Sequence, residues 1–492
     1  MPRQSIFRAA LALIGVAIPL AAVAGCSAHD TLHAQARAEA SPAAVLDVDD
    51  PSGASVTASE ATFESSELVF VATAERAPDL ADDAIAAGAP LLVDGPELAG
   101  ELQRLGVQVV VTANGDSPEL PDGGLEALSI DASADPTSTD VPSLARTDLA
   151  APAVLFAPGD VPDALAAAAA TVSAVAGQVE QLAPGDPRGP QAAIEQLQAH
   201  PDTTILAAGT DYGTTEQFPQ RVATVLGGQE LPGGGMLALD DRILVADYGH
   251  PGDQVLGILG EQDLDWAVAD VKNRAAEYQA LTDHQVIPTF ELIATVASAS
   301  AGDDGDFSAE SDPAALRPWI DRAAEEGIYV LLDLQPGHST FPEQAQQYEE
   351  LLALPNVGLA LDPEWRLGPG EQHMVQIGSV SAAEVNETLA WLDELTAEHA
   401  LPQKVVVLHQ FRGDMLEDRA DIDTSYDTLQ LVVHVDGHGT PPLKMETWNA
   451  LTADLPEGIV LGWKNFIDED TPMFTPAETL AIEPQPQLVT YQ

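Results

Sequence analysis

The chain has a single cysteine, Cys26, in 492 residues. No disulfide can form within it, so stability has to come from a buried core. Positive charge is scarce: 19 lysines and arginines stand against 78 acidic residues, a formal net charge of −59. The only lysines are Lys272, Lys404, Lys444 and Lys464. Repulsion on that scale excludes nucleic acid and anionic headgroups as surface-wide partners. The carboxylates are spread along the whole chain, as in acidic surfaces kept soluble by screening counterions. Beyond the N-terminal leader, no segment reaches the ~18 uninterrupted apolar residues of a membrane span. A phosphate-binding loop, a G-x-G-x-x-G turn after a strand and a G-x-S-x-G elbow are all missing, which removes support for nucleotide, flavin and serine-hydrolase chemistry. The acidic turn Asp303–Asp306 lacks the downstream bidentate glutamate of a calcium loop.

The N-terminus carries a compartment signal. Arg3 and Arg8 precede the apolar stretch Ala9–Ala22, and Val23-Ala24-Gly25-Cys26 closes it with small residues. That order reads as an export signal over residues 1–26. The closing four residues resemble a bacterial lipobox. The resemblance implies lipidation at Cys26 and anchoring to the membrane through the N-terminal lipid, on the extracellular face of the cytoplasmic membrane. Residues 27–65 are rich in Ala, Ser, Asp and Pro without periodicity, which predicts a disordered acidic tether.

From Glu67 the pattern alternates between strand and helix, and residues 66–236 read as an α/β domain with parallel βαβ units. Asp116–Arg146 reads as a loop or insertion, and a weaker restart follows near Ala151. Asp79–Ala84 followed by Ala87-Gly88-Ala89-Pro90-Leu91-Leu92-Val93 resembles the type 2 cell wall-binding repeat of Gram-positive surface proteins. Val109–Gly115 stands where its closing strand belongs. The resemblance implies a module that packs against peptidoglycan or another envelope polysaccharide. The alternative is a small α/β domain that only spaces the next domain from the membrane, because fold alone does not give function.

Pro232-Gly233-Gly234-Gly235 reads as a linker turn. Over residues 237–492, eight apolar runs recur with helical patterns between them: Ile243–His250, Val286–Glu291, Ile328–Gln335, Val357–Trp365, Lys404–Arg412, Leu429–Gly439, Gly458–Phe466 and Gln487–Gln492. Eight such units predict a (β/α)₈ TIM barrel, whose active site is built at the C-terminal ends of its strands. Polar residues gather at that end of nearly every run.

Side chains alternate along a strand, so parity selects those facing the barrel interior. Gly358, Ala360, Asp362 and Glu364 share one face, with the two carboxyl groups at the mouth. Like charges so close raise one pKa, which keeps a carboxyl protonated for general-acid work. The strand also resembles the D-G-x-D-x-D-x-E strand of family 18 glycoside hydrolases, with Gly358, Asp362 and Glu364 on its glycine, last aspartate and glutamate. Val357 and Ala360 replace its earlier aspartates. The resemblance implies Glu364 as general acid and Asp362 as the group that orients the substrate. Glycosidases need a second carboxylate, for which Glu291 and Asp436 are the candidates.

Tyr248, His250, Asp333, Gln335, His409, Gln410, Arg412, His434, His438, Trp463 and Tyr491 complete the expected substrate-binding set, with Trp463 as the platform for a sugar ring. Parity sets Trp463 inward with Ile459 and Leu461; Lys464 and Asn465 are expected to face the helices. The histidines also permit a zinc or manganese site. Recognition of hydroxyls is the simpler role, so neither metal nor cofactor is expected. Three readings stay open: a glycoside hydrolase, a carbohydrate- or wall-binding lipoprotein of an actinobacterial cell whose barrel has lost catalysis, and a metal-dependent hydrolase using His409, Asp436 and His438. The oligomeric state is not legible.

Overall fold

The computed structural model describes residues 31–120, 124–133, 141–146 and 152–492; the predicted export signal and Cys26 lie outside them. The N-terminal part contains two four-stranded parallel sheets. One has the order 91–93, 68–72, 109–113, 126–130, and the other 178–181, 153–157, 204–208, 44–46. The helix Ala77–Ala87 ends where Gly88 adopts the left-handed conformation, the common glycine cap.

The expectation of a disordered tether over 27–65 is overturned for its described residues, 31–65. Leu32–Ala36 pairs with Phe63–Ser66 and Leu144–Arg146, and Ala44–Leu46 supplies the edge strand of the second sheet. Between them runs a helix, Pro51–Thr62, whose start is capped by Asp50 accepting from Gly53 N at 3.0 Å. Its buried residues are Ser52, Ala54, Ser55, Val56, Ala58, Ser59, Ala61 and Thr62, mostly small enough for close packing on helix Ala166–Ala174. Ser55 Oγ accepts from Val93 N at 3.0 Å. A close contact needs small residues rather than large apolar ones, so the segment has the composition of a tether. Glu126–Ile130 and Leu144–Arg146 are likewise strands inside the segment read as a loop or insertion.

The C-terminal part is a closed, all-parallel eight-stranded barrel. Its strands are β1 (Arg242–Gly249), β2 (Gln285–Ala297), β3 (Tyr329–Leu334), β4 (Val357–Leu361), β5 (Lys404–Gln410), β6 (Leu429–Val435), β7 (Val460–Asn465) and β8 (Leu488–Tyr491). Each pairs with its sequence neighbour, and β1 closes the ring against both β2 and β8. The predicted runs and the observed strands coincide. The barrel interior holds Leu244, Ala246, Ile287, Leu331, Ala360, Val407 and Val432, while the opposite parity faces the helices in a larger core.

The N-terminal end of the barrel is sealed. Leu231, Ala238 and Leu239 pack into the interior cluster, so the segment around the Gly233–Gly235 turn is a plug rather than a free linker. Next to it, Asp427 accepts from Arg221 through both carboxylate oxygens at 2.9 and 2.6 Å and lies 2.8 Å from Arg188. Arg188 is almost fully buried and also pairs with Asp186. These ion pairs fix the α/β part to the base of the barrel and leave the opposite mouth open.

Candidate active site

The strand ends surround a cavity of about 650 Å³. Asp362, Glu364 and Asp436 line it, with Lys464 and His438 beside them and Tyr248 and Gln335 on the wall. Trp365, Phe411 and Phe466 supply flat apolar faces, and the upper end of β2, through Ile293 and Ala297, closes one side.

Beneath this lies a fully buried polar layer. The His409 Nε2 is 2.8 Å from Glu291 Oε1, and its Nδ1 is 3.2 Å from Asp436 Oδ2. His434 Nδ1 lies 3.3 Å from His409 Nδ1, and its Nε2 is 3.1 Å from Thr490 Oγ1. Tyr248 donates its hydroxyl to Asp333 Oδ2 at 2.9 Å, and Gln335 Nε2 donates to that hydroxyl at 3.2 Å. The Lys464 ammonium stands 3.9 Å above the Tyr248 ring, a cation–π contact in a desolvated place. Gly462 makes room for this layer: a Cβ there would come within 2.3 Å of the His434 ring.

Burial and mutual charge separate the protonation states. Burial pushes Glu364 up to about 7, helped by the negative charge of Asp436. Burial and the adjacent Glu364 hold Asp362 well above the carboxylate range. Asp333 is pushed up to about 6 by burial, against the opposing charge of His409. Burial would also raise Asp436, but the hydrogen bond and charge of His409 and the charge of Lys464 keep it below its ordinary value. Burial opposes charge on His409, yet Glu291 and Asp436 together raise it well above the usual imidazole range. His434, buried beside that cation, is held well below it. An imidazolium locked between two carboxylates, a neutral imidazole behind it and a protonated glutamic acid beside an ionised aspartate is the pattern in which acid and base roles divide.

The cavity gathers Tyr248, Gln335, Asp362, Glu364, Asp436 and His438, with Glu291, Asp333, His409 and His434 in the layer below. The remaining expected residues lie elsewhere. Trp463 faces the helices, packed on Trp448 and stacked on Phe474 at 5.2 Å, with its Nε1 donating to Asn465 at 2.9 Å. Tyr491 also faces outward, its hydroxyl 2.7 Å from that of Tyr278. Gln410 accepts from Arg419 outside the ring. Arg412 forks onto Asp414 at the surface. His250 lies 3.1 Å from Ser311 Oγ, away from the cavity lining. The parity chosen for β7 was inverted, and the cavity receives Lys464 in place of Trp463. Glycine at 462 was the available signal, since Gly462 and Lys464 share a face. Trp365 takes the expected aromatic role.

Glu364 also reaches the cavity by a different route from the one expected. Strand β4 ends at Leu361, and a 3₁₀ turn over Pro363–Trp365 carries the carboxyl into place. Neither nearby arginine ties it down: Arg366 pairs with Glu384 at 2.9 Å, and Arg412 is held by Asp414. No protein-family model matches the chain, and no curated protein sequence matches it.

Proposed function

We propose that the barrel is a glycoside hydrolase acting on an envelope or extracellular polysaccharide, with Glu364 as general acid and Asp436 as the partner carboxylate. The observation that carries this reading is the convergence of Glu364, Asp362 and Asp436 on one open cavity beside Trp365 and Phe466. Cleaving a glycosidic bond requires a proton for the leaving oxygen and a negative group for the developing positive charge on the sugar. Burial and Asp436 raise Glu364 to about 7, so a large share of it still carries its proton near neutral pH. Asp436 keeps its charge through His409. Asp362, on the same cavity lining and held well above the carboxylate range, has a proton to donate to a substrate acceptor such as a ring substituent. Flat side chains suit the CH faces of a sugar ring.

In the same reading the chain is a lipoprotein anchored through Cys26 on the outer face of the membrane, and its α/β part contacts wall polymer. Among the described residues no helix is long and apolar enough to cross a membrane. The two parallel sheets are compatible with repeat-like units, and their attachment to the sealed base leaves the mouth free for a polymer.

The test is hydrolysis of a panel of wall glycans by the wild type and Glu364→Gln. The reading expects turnover of at least one glycan by the wild type and a loss of 10²- to 10⁴-fold in the variant, the usual worth of a general acid. Equal turnover would remove Glu364 from the mechanism. Binding without cleavage by the wild type would leave a carbohydrate-binding lipoprotein.

A further inference from the structure

Five carboxyl groups belong to the barrel mouth and the layer beneath it: Glu291, Asp333, Asp362, Glu364 and Asp436. Four of them each have one buried oxygen that meets no hydrogen-bond donor of the protein: Glu291 Oε2, Asp333 Oδ1, Asp362 Oδ1 and Asp436 Oδ1. A buried acceptor left without a donor costs about 1–3 kcal/mol and more if charged. Of these, Asp333 Oδ1 lies 3.8 Å from His409 Nε2, a gap that a positive partner would fill.

We infer that Glu291, Asp333 and His409 form a binding site for one divalent transition-metal ion, of the zinc or manganese type, beneath the cavity floor. The donor atoms come from β2, β3 and β5, and all lie within 4.8 Å of one another. His409 Nε2 is 2.8 Å from Glu291 Oε1 and 3.8 Å from Asp333 Oδ1. Ligands held ~2.1 Å from a tetrahedral zinc stand roughly 3.4 Å apart, so these separations bracket what an ion needs. The mixed imidazole and carboxylate set favours a first-row transition ion over calcium.

The outer contacts match a metal site. His409 directs its other ring nitrogen at Asp436, the carboxylate–histidine–metal arrangement that orients a ligating imidazole. Asp333 accepts from Tyr248 through Oδ2, leaving Oδ1, its unpartnered atom, toward the imidazole. The ion takes the place of the proton now shared by His409 Nε2 and Glu291. Its remaining coordination positions lie on the side of Asp362 and the cavity. The site stands independently of whether Glu364 protonates a leaving group.

The test is titration of chelator-stripped full-length protein with manganese, read by paramagnetic resonance, and with cobalt, read by paramagnetically shifted imidazole resonances. The expected result is one tight equivalent per chain, with cobalt-shifted signals from a single histidine that vanish in His409→Asn. Asp333→Asn and the isosteric Glu291→Gln lose that equivalent, whereas Asp304→Asn, in the exposed acidic turn, retains it. Wild-type protein that shows no tight equivalent, or a cobalt complex without shifted imidazole signals, overturns the inference without any variant having to fold. Loss of the equivalent in Asp304→Asn alone would place the ion elsewhere and also overturn it.

Discussion

Replacing Asp436 with asparagine removes the largest electrostatic contribution that holds a proton on Glu364. The shift of Glu364 from an ordinary 4.5 to about 7 corresponds to roughly 3 kcal/mol in favour of the protonated form, at ~1.36 kcal/mol per pH unit. Burial supplies the larger part, and the substitution leaves burial in place. Asp436→Asn should therefore lower the Glu364 pKa into the interval between 4.5 and 7. A general acid works only while protonated, so activity falls as pH rises through its pKa. In the wild type the alkaline limb of kcat/KM therefore lies near 7. Asp436→Asn also loses the partner carboxylate and with it most turnover, so the shift is read from the group itself: a carboxyl-carbon NMR titration should find the Glu364 midpoint near 7 in the wild type and lower in Asp436→Asn, recorded with a chelator present because a cation beneath the floor would lower both midpoints. A midpoint that stays put, or moves to higher pH, would refute the electrostatic reasoning.

Three further outcomes follow from named contacts. Lys404 is fully buried, donating to the carbonyls of Leu354 and Val357 at 3.0 and 2.8 Å, and burial lowers its pKa from 10.5 to about 7. The unfolded chain holds this proton between those values while the folded chain does not, so the contribution to stability grows with pH across that window by up to ~5 kcal/mol. Urea denaturation of Lys404→Met at pH 7, 8.5 and 10 should show a clearly flatter dependence than the wild type. Asp427→Ala removes the bidentate partner of Arg221, which keeps Asp186 at 3.2 Å, and one partner of buried Arg188, at a cost of about 1.5–3 kcal/mol. Calorimetry should show the α/β part and the barrel melting separately in that variant. Trp365→Ala should raise KM about tenfold with little change in melting temperature, through loss of a stacking face worth about 1–1.5 kcal/mol. Trp463→Ala should do the reverse, because Trp463 packs against Trp448 and Phe474.

The barrel was legible because strands covered on both sides become uninterrupted apolar runs, and each was bounded by helical pattern. The same burial erased the alternation that tells inside from outside. In β7 both faces are buried, so Trp463 and Lys464 were exchanged; Tyr491, expected in the site from its place at the end of β8, faces outward from a strand equally buried on both sides. Where parity had polar anchors, as at Glu291, Asp333, Asp362, His409 and Asp436, it placed them in the cavity or just beneath it. The tether was misread for a different reason: Ala and Ser in Pro51–Thr62 serve a close helix–helix contact, and composition cannot separate that from disorder. Nothing local foretold that Glu364 would enter the cavity from a 3₁₀ turn, although Pro363 marks where the strand had to stop.

The most direct test of the Glu364 assignment compares two leaving groups. A sugar alcohol departs only with a proton, whereas an acidic phenol departs without one. Rates on the natural linkage and on an aryl glycoside of the same sugar, in wild type and Glu364→Gln, isolate proton donation from binding. The account predicts a 10²- to 10⁴-fold loss on the natural linkage and near wild-type bond cleavage on the aryl glycoside. An equal loss on both would contradict it.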